Sequence, residues 1–129
     1  MLRQRVLAWV IGVSQLMLGI GFLFFPDLFF STFGFSPASP DQKYLFGQLA
    51  GRFFAFGAGM LFVAHNLSAN RFWWDMMLFI QLVDFAVGIW GVLGGGVGFR
   101  VAAFPLFNAA VFSLLLGLWR PSKSSVASE

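Results

Sequence analysis

Cysteine is absent from the 129 residues, which excludes disulfides, thiolate metal sites, CxxC redox chemistry and c-type haem attachment. Charge is almost as scarce. Asp, Glu, Lys and Arg make up 10% of the chain, against about 25% in an average soluble domain. With 59% apolar residues and a mean hydropathy of +0.83, a water-soluble globule of this size would leave much of its apolar surface wet, so that class is ruled out. Disorder, coiled coil and collagen fall to the same numbers. The net charge of +3 is accounted for by residues flanking apolar segments and calls for no nucleic acid.

What is present is four long apolar runs, at about residues 6–25, 44–65, 72–93 and 100–119. Each has the roughly 20 residues needed to cross a bilayer. The short links 66–71 and 94–98 force antiparallel hairpins. The pattern predicts an all-α integral membrane four-helix bundle occupying 1–120, with a polar, serine-rich cytoplasmic tail over 121–129. The first run follows Arg3 and Arg5 as a signal peptide would, but it exceeds the usual h-region of roughly 7–15 residues. It also ends in Leu23-Phe24-Phe25-Pro26 rather than a small-residue cleavage site, so a retained helix is expected.

Basic residues near span ends favour the cytoplasmic side. Four crossings place Arg3, Arg5, Arg71, Arg120 and Lys123 on one side and Lys43 and Arg100 on the other. The expected address is a bacterial inner membrane with both termini in the cytoplasm. Trp9, Trp73, Trp74 and Trp119 then fall near the cytoplasmic interface, where an indole buries its ring and keeps its N–H wet. In the long link 26–43, Pro26 and Asp27 suit a helix start and Gly34 a stop, predicting a short interfacial helix.

Charges inside the spans need an explanation, because each costs on the order of 2.5–3.5 kcal/mol at mid-span on insertion scales. At roughly 1.5 Å per residue, Arg52, Asp84 and Asn108 all come out about 12 Å from the outer side, with Gln15 and Gln81 about 16 Å deep. Met77, Gln81, Asp84, Gly88 and Gly91 share one helical stripe. Gly47, Gly51, Ala55 and Gly59 form a small-residue ladder beside Arg52, and Ala8, Gly12, Gln15 and Gly19 form another in the first span. The expectation is an intramembrane Arg52–Asp84 ion pair whose remaining hydrogen bonds are taken by Gln15, Gln81 and Asn108. The cluster reads either as structural glue or as a proton, ion or small-ligand site, with Phe53, Phe54, Phe56, Phe79 and Phe85 as candidate apolar walls.

His65, the sole histidine, is a candidate ligand for haem or a chlorin. Its place at the end of the second span also suits a helix C-terminal cap. Asp75 is expected to face His65 or to pair with Arg71. The sequon Asn66-Leu67-Ser68 abuts the predicted cytoplasmic side and is discounted. The glycines of 94–98 lack the preceding strand and the lysine of a phosphate loop and read as a hairpin turn. Pro105 is expected to kink or start the fourth helix, with Asn108 serving the freed carbonyls. Ser14 and Ser113 have no histidine at matching depth and no two carboxylates share a span, so no catalytic constellation, metal site or cofactor is expected.

The pattern Leu18-Gly19-Ile20-Gly21-Phe22-Leu23-Phe24-Phe25-Pro26-Asp27, with Phe33-Gly34 and Gly51-Arg52-Phe53-Phe54-Ala55-Phe56-Gly57-Ala58-Gly59, resembles the DoxX-like group of small four-helix bacterial membrane proteins. That resemblance implies a four-helix bundle, sometimes an accessory to membrane redox complexes. Small multidrug transporters share the span count but carry a glutamate in the first helix, where this chain has Gln15 and no acid. The leading expectation is a non-catalytic accessory or packing subunit of a larger membrane complex. The alternative is a small transporter or ligand-binding bundle, homodimeric in one version, using the Arg/Asp/Asn cluster.

Overall fold

In the computed structural model, which describes residues 1–121, the chain forms α1 (Leu2–Phe24), α2 (Pro26–Thr32), α3 (Pro40–His65), α4 (Arg71–Leu93) and α5 (Phe99–Leu118). No strand occurs among the described residues. Helices α1, α3, α4 and α5 are each long and apolar enough to cross a membrane. The chain is therefore a multi-pass membrane protein built as an all-α four-helix bundle. Apart from Pro121, the expected polar tail lies outside the described residues.

Two helices begin earlier than the apolar runs do, α1 at Leu2 rather than Val6 and α3 at Pro40 rather than Tyr44. The second extension has a local cause. Ser39 Oγ accepts from the Gln42 backbone N–H at 3.3 Å, and Gln42 Oε1 accepts from the Ser39 N–H at 2.9 Å. This capping box starts a polar turn ahead of the apolar run, with Pro40 at the first helical position, where its missing N–H costs nothing.

The short helix expected in the first link is present as α2. Its stop is a Schellman turn: Gly34 sits at φ +77°, the Gly34 N–H donates to Ser31 O, and the Phe35 N–H donates to Phe30 O at 2.9 Å. Phe30 is buried and packs edge-on against Phe35 and Phe46, which holds α2 against the start of α3. Gly95, at φ +72°, ends α4 in the same way and makes the hairpin turn into α5.

The four long helices associate as two tight pairs, α1 along α3 and α4 along α5, with looser contact between the pairs. The pairs join at the end that carries the N-terminus, the 66–70 turn and the end of α5. There Leu7, Ile11, Met60, Val63, Trp74, Met77 and Leu116 form a dry core. Polar groups fasten the same end. Gln4 Nε2 donates to Trp119 O at 2.9 Å, and Trp74 Nε1 donates to Leu116 O at 3.0 Å. Arg120 grips both oxygens of Asp75 through Nε and Nη2 at 2.9 and 3.0 Å. The final carbonyls of α5, which no helix N–H can reach, thus take donors from α1 and α4.

Two expectations are corrected here. Trp74 is not an interfacial anchor: it is fully buried and its N–H is spent on Leu116 rather than on water. Of the ladder expected on α3, Gly59 is buried against Trp73 and Gly47 is half-buried, but the row is broken at its middle. Gly51 and Ala55 are exposed, while buried Ala50, Phe53, Gly57 and Ala64 face the bundle. Small residues stand at 47, 50, 51, 55, 57, 58 and 59, so two rows of them overlap and spacing alone does not select one. The α1 face, with Ala8, Gly12, Gln15 and Gly19 all buried, is as expected.

Candidate intramembrane polar site

Where the two helix pairs diverge, they leave a cavity of about 440 Å³. Gln15 from α1, Arg52 from α3, Gln81 and Asp84 from α4 and Asn108 from α5 all line it. The polar residues that depth arithmetic put in one layer are brought to one space. Gln15 and Gln81 lie toward the packed core and are 4% and 2% exposed. Phe33, Phe35, Val97 and Phe104 border the cavity near the 33–35 and 94–98 turns, and Phe33 stacks on Phe104 across it with ring centroids 5.5 Å apart.

Arg52 and Asp84 form the expected ion pair. Both hydrogen bonds come from a single nitrogen, Nη2, which lies 3.0 Å from Oδ1 and 2.8 Å from Oδ2. The side chains keep 35% and 39% of their surface accessible. The Arg52 guanidinium carbon also stands 5.6 Å from the centroid of the Phe53 ring. The guanidinium of this cavity-lining residue is thus held by charge and set over an aromatic ring, with its Nη1 and Nε N–H groups unspent among the described residues.

The amides do not complete the pair's hydrogen bonds. Gln81 Nε2 instead meets Met77 Sδ, one turn down its own helix, at 3.5 Å, a weak contact. Among the described residues, the side chains of Gln15 and Asn108 have no hydrogen-bond partner. Asn108 therefore does not serve the carbonyl freed by Pro105, which sits inside α5 rather than starting it. Three amides thus face the cavity with most of their hydrogen-bonding capacity unspent.

Of the phenylalanines expected as walls, Phe53 alone lines the cavity. Phe54 covers Gly19, Phe56 packs edge-on against Trp73, Phe79 is 60% exposed, and Phe85 borders a groove on the outer face of α4. The aromatic walls are Phe22, Phe33, Phe35, Phe53 and Phe104. Phe22 lies parallel to Phe53 and to Phe46 at 5.5 and 5.4 Å. The α4 stripe gave a usable signal, since Gly88 and Gly91 line the cavity beside Asp84. The Phe33–Phe104 contact, 71 residues apart in the chain, had none.

His65 is exposed at the far end of α3, outside the cavity, and no cluster suited to a metal ion occurs among the described residues. Asp75 does not face it. Its carboxylate is held by Arg120, with Arg71 Nε more distant at 3.9 Å. Asn66 of the sequon is used locally, its Oδ1 accepting from Ser68 Oγ and from the Ala69 N–H. No family model, no curated protein and no solved structure matches the chain.

Proposed function

We propose that this protein is a membrane-embedded binding bundle that takes up a small, largely apolar molecule between its two helix pairs, as the site of a carrier or small transporter. The observation that carries this reading is the convergence of Gln15, Arg52, Gln81, Asp84 and Asn108 on one cavity of about 440 Å³. That size falls within the roughly 300–1,000 Å³ of small-molecule sites, and a few polar groups set among apolar walls is their usual make-up. An ion pair acting only as glue would be closed over by packing, whereas this one lines the cavity and keeps 35% and 39% of its side-chain surface accessible. The proposed setting is a bacterial inner membrane with cytoplasmic termini. Arg3, Arg5, Arg71 and Arg120 support it, because they lie at one end of the bundle.

The test is extraction. Protein purified in mild detergent is stripped with organic solvent, and the extract is compared by mass spectrometry with that of Asn108→Trp, whose larger side chain takes up part of the cavity. A small molecule retained by the parent chain and lost from the variant is expected. Identical extracts would overturn the reading.

The accessory-subunit reading has its own support in an apolar groove of about 570 Å³ on the outer face of α4, where Trp90 is 81% exposed. Native mass in gentle detergent separates the two readings. A stable assembly with other proteins, lost on Trp90→Ala, favours the accessory role, and a lone chain or a homodimer carrying a small molecule favours the binding bundle.

A further inference from the structure

We infer that the molecule this cavity takes is electrically neutral and offers carbonyl-type hydrogen-bond acceptors, as an uncharged ester, amide or ketone with an apolar body does. The inference rests on the binding-bundle reading and narrows it to a chemical class.

Charge comes first. Among the described residues, Arg52 and Asp84 are the sole ionisable side chains lining the cavity, and their charges cancel at 2.8 Å. A charged guest would bring an uncompensated charge into an environment of low dielectric, or would have to break the pair. A neutral guest meets neither obstacle.

Donors come second. Arg120 holds Asp75 through two different nitrogens, Nε and Nη2. Arg52 holds Asp84 through Nη2 alone, so its Nη1 and Nε have no partner among the described residues. A guanidinium cannot accept a hydrogen bond, so whatever meets these N–H groups must be an acceptor. Gln15, more than nine-tenths buried and with no side-chain hydrogen-bond partner among the described residues, lines the same space and adds an amide that donates as well as accepts. A carbonyl guest would give the N–H groups of that amide an acceptor. The body of the guest then lies against Phe22, Phe53 and Phe104.

The experiment uses the full chain in lipid nanodiscs and three radiolabelled probes with the same tail: methyl dodecanoate, dodecanoate and dodecylammonium. Binding is read by equilibrium dialysis, with empty nanodiscs correcting for partition into lipid. The expected result is saturable binding of the ester, roughly tenfold or more tighter than of either charged probe, and abolished in Asn108→Trp. Arg52→Lys keeps the charge pair but removes the spare guanidinium N–H groups, and is expected to weaken ester binding by roughly tenfold. Tighter binding of the acid or the amine would overturn the neutral class while leaving the cavity a binding site. No saturable binding of any probe would also overturn the class, and the solvent extract of the parent chain would then decide separately whether the cavity binds anything. The comparison of probes on the unmutated chain stands even if a variant fails to fold.

Discussion

Gly12 on α1 and Gly57 on α3 face each other so closely that a methyl group on either would lie 3.1 Å from the carbonyl oxygen of the other. Lipid tails are as apolar as leucine, so association within the membrane depends on close packing rather than on escape from water. This contact sets the spacing of the α1/α3 pair. Leu16 and Leu61 fill the remaining space, at 2.8 Å from the Gly57 position and 2.9 Å from the Gly12 position.

Replacing either glycine by valine is expected to destabilise the bundle by about 1–3 kcal/mol, the usual range for overpacking. Gly51→Ala is the control, because nothing lies within 4 Å of a methyl group there. It should leave stability unchanged or slightly raised, since alanine favours helix over glycine by roughly 1 kcal/mol. Thermal unfolding followed by circular dichroism in micelles measures all three. Equal losses at positions 51 and 57 would show that the seam runs elsewhere.

The Arg52–Asp84 pair predicts non-additive behaviour. Arg52→Leu leaves a lone carboxylate in the span and Asp84→Leu a lone guanidinium, each costing at most about 2.5–3.5 kcal/mol on insertion scales. The cost is moderated because neither side chain is fully buried, 35% and 39% of them staying accessible. The double substitution removes both charges and is expected to accumulate in the membrane better than either single one. Quantitative immunoblots of the membrane fraction decide this. Single variants that accumulate as well as the double one would mean the pair contributes nothing.

Sequence carried some of this site and not the rest, for physical reasons. Charges are so rare in the spans that Arg52 and Asp84, at matched depth on α3 and α4, had few alternative partners, and their pairing was legible. The helices were legible because apolar length alone specifies them. The aromatic walls were not. With 19 phenylalanines in the chain, composition does not distinguish Phe22 and Phe53, which line the cavity, from Phe79, which is exposed outside it. Asp75 pairs with Arg71 at 3.9 Å as read from near neighbours in sequence, but its hydrogen-bonded partner Arg120 lies 45 residues away, across the α4/α5 pair. Trp74 was assigned to the interface on residue type, yet its place on α4 points its N–H at the unpaired Leu116 carbonyl.

That tryptophan gives a separable prediction. Trp74→Phe retains most of the ring packing in the core but removes the donor, stranding a buried carbonyl near the end of α5. An unsatisfied buried acceptor costs roughly 1–3 kcal/mol. The expected result is a lower unfolding temperature together with faster amide exchange confined to the last turns of α5. Hydrogen–deuterium exchange read by mass spectrometry resolves the location. A uniform rise in exchange over all helices would instead assign the effect to lost packing volume.

The docking of α2 sets an aromatic contact against an ion pair. Lys43 Nζ reaches Asp27 Oδ2 at 2.9 Å, yet the two side chains are 41% and 68% exposed. Exposed pairs are typically worth 0–1 kcal/mol, so Asp27→Asn is expected to leave α2 in place. Phe30, by contrast, is 6% exposed and wedged against Phe46 with ring centroids 4.7 Å apart. Its truncation to alanine is expected to cost about 3–5 kcal/mol of local packing. Because α2 is seven residues long, it does not persist as a helix without that anchor. Phe30→Ala should therefore raise amide exchange across 26–35, while the four long helices keep their protection. Asp27→Asn should match the parent chain. If the charge change proved the more disruptive of the two, the 26–39 segment would be held by its polar contacts, and the Phe33–Phe104 stack at the cavity would depend on salt concentration.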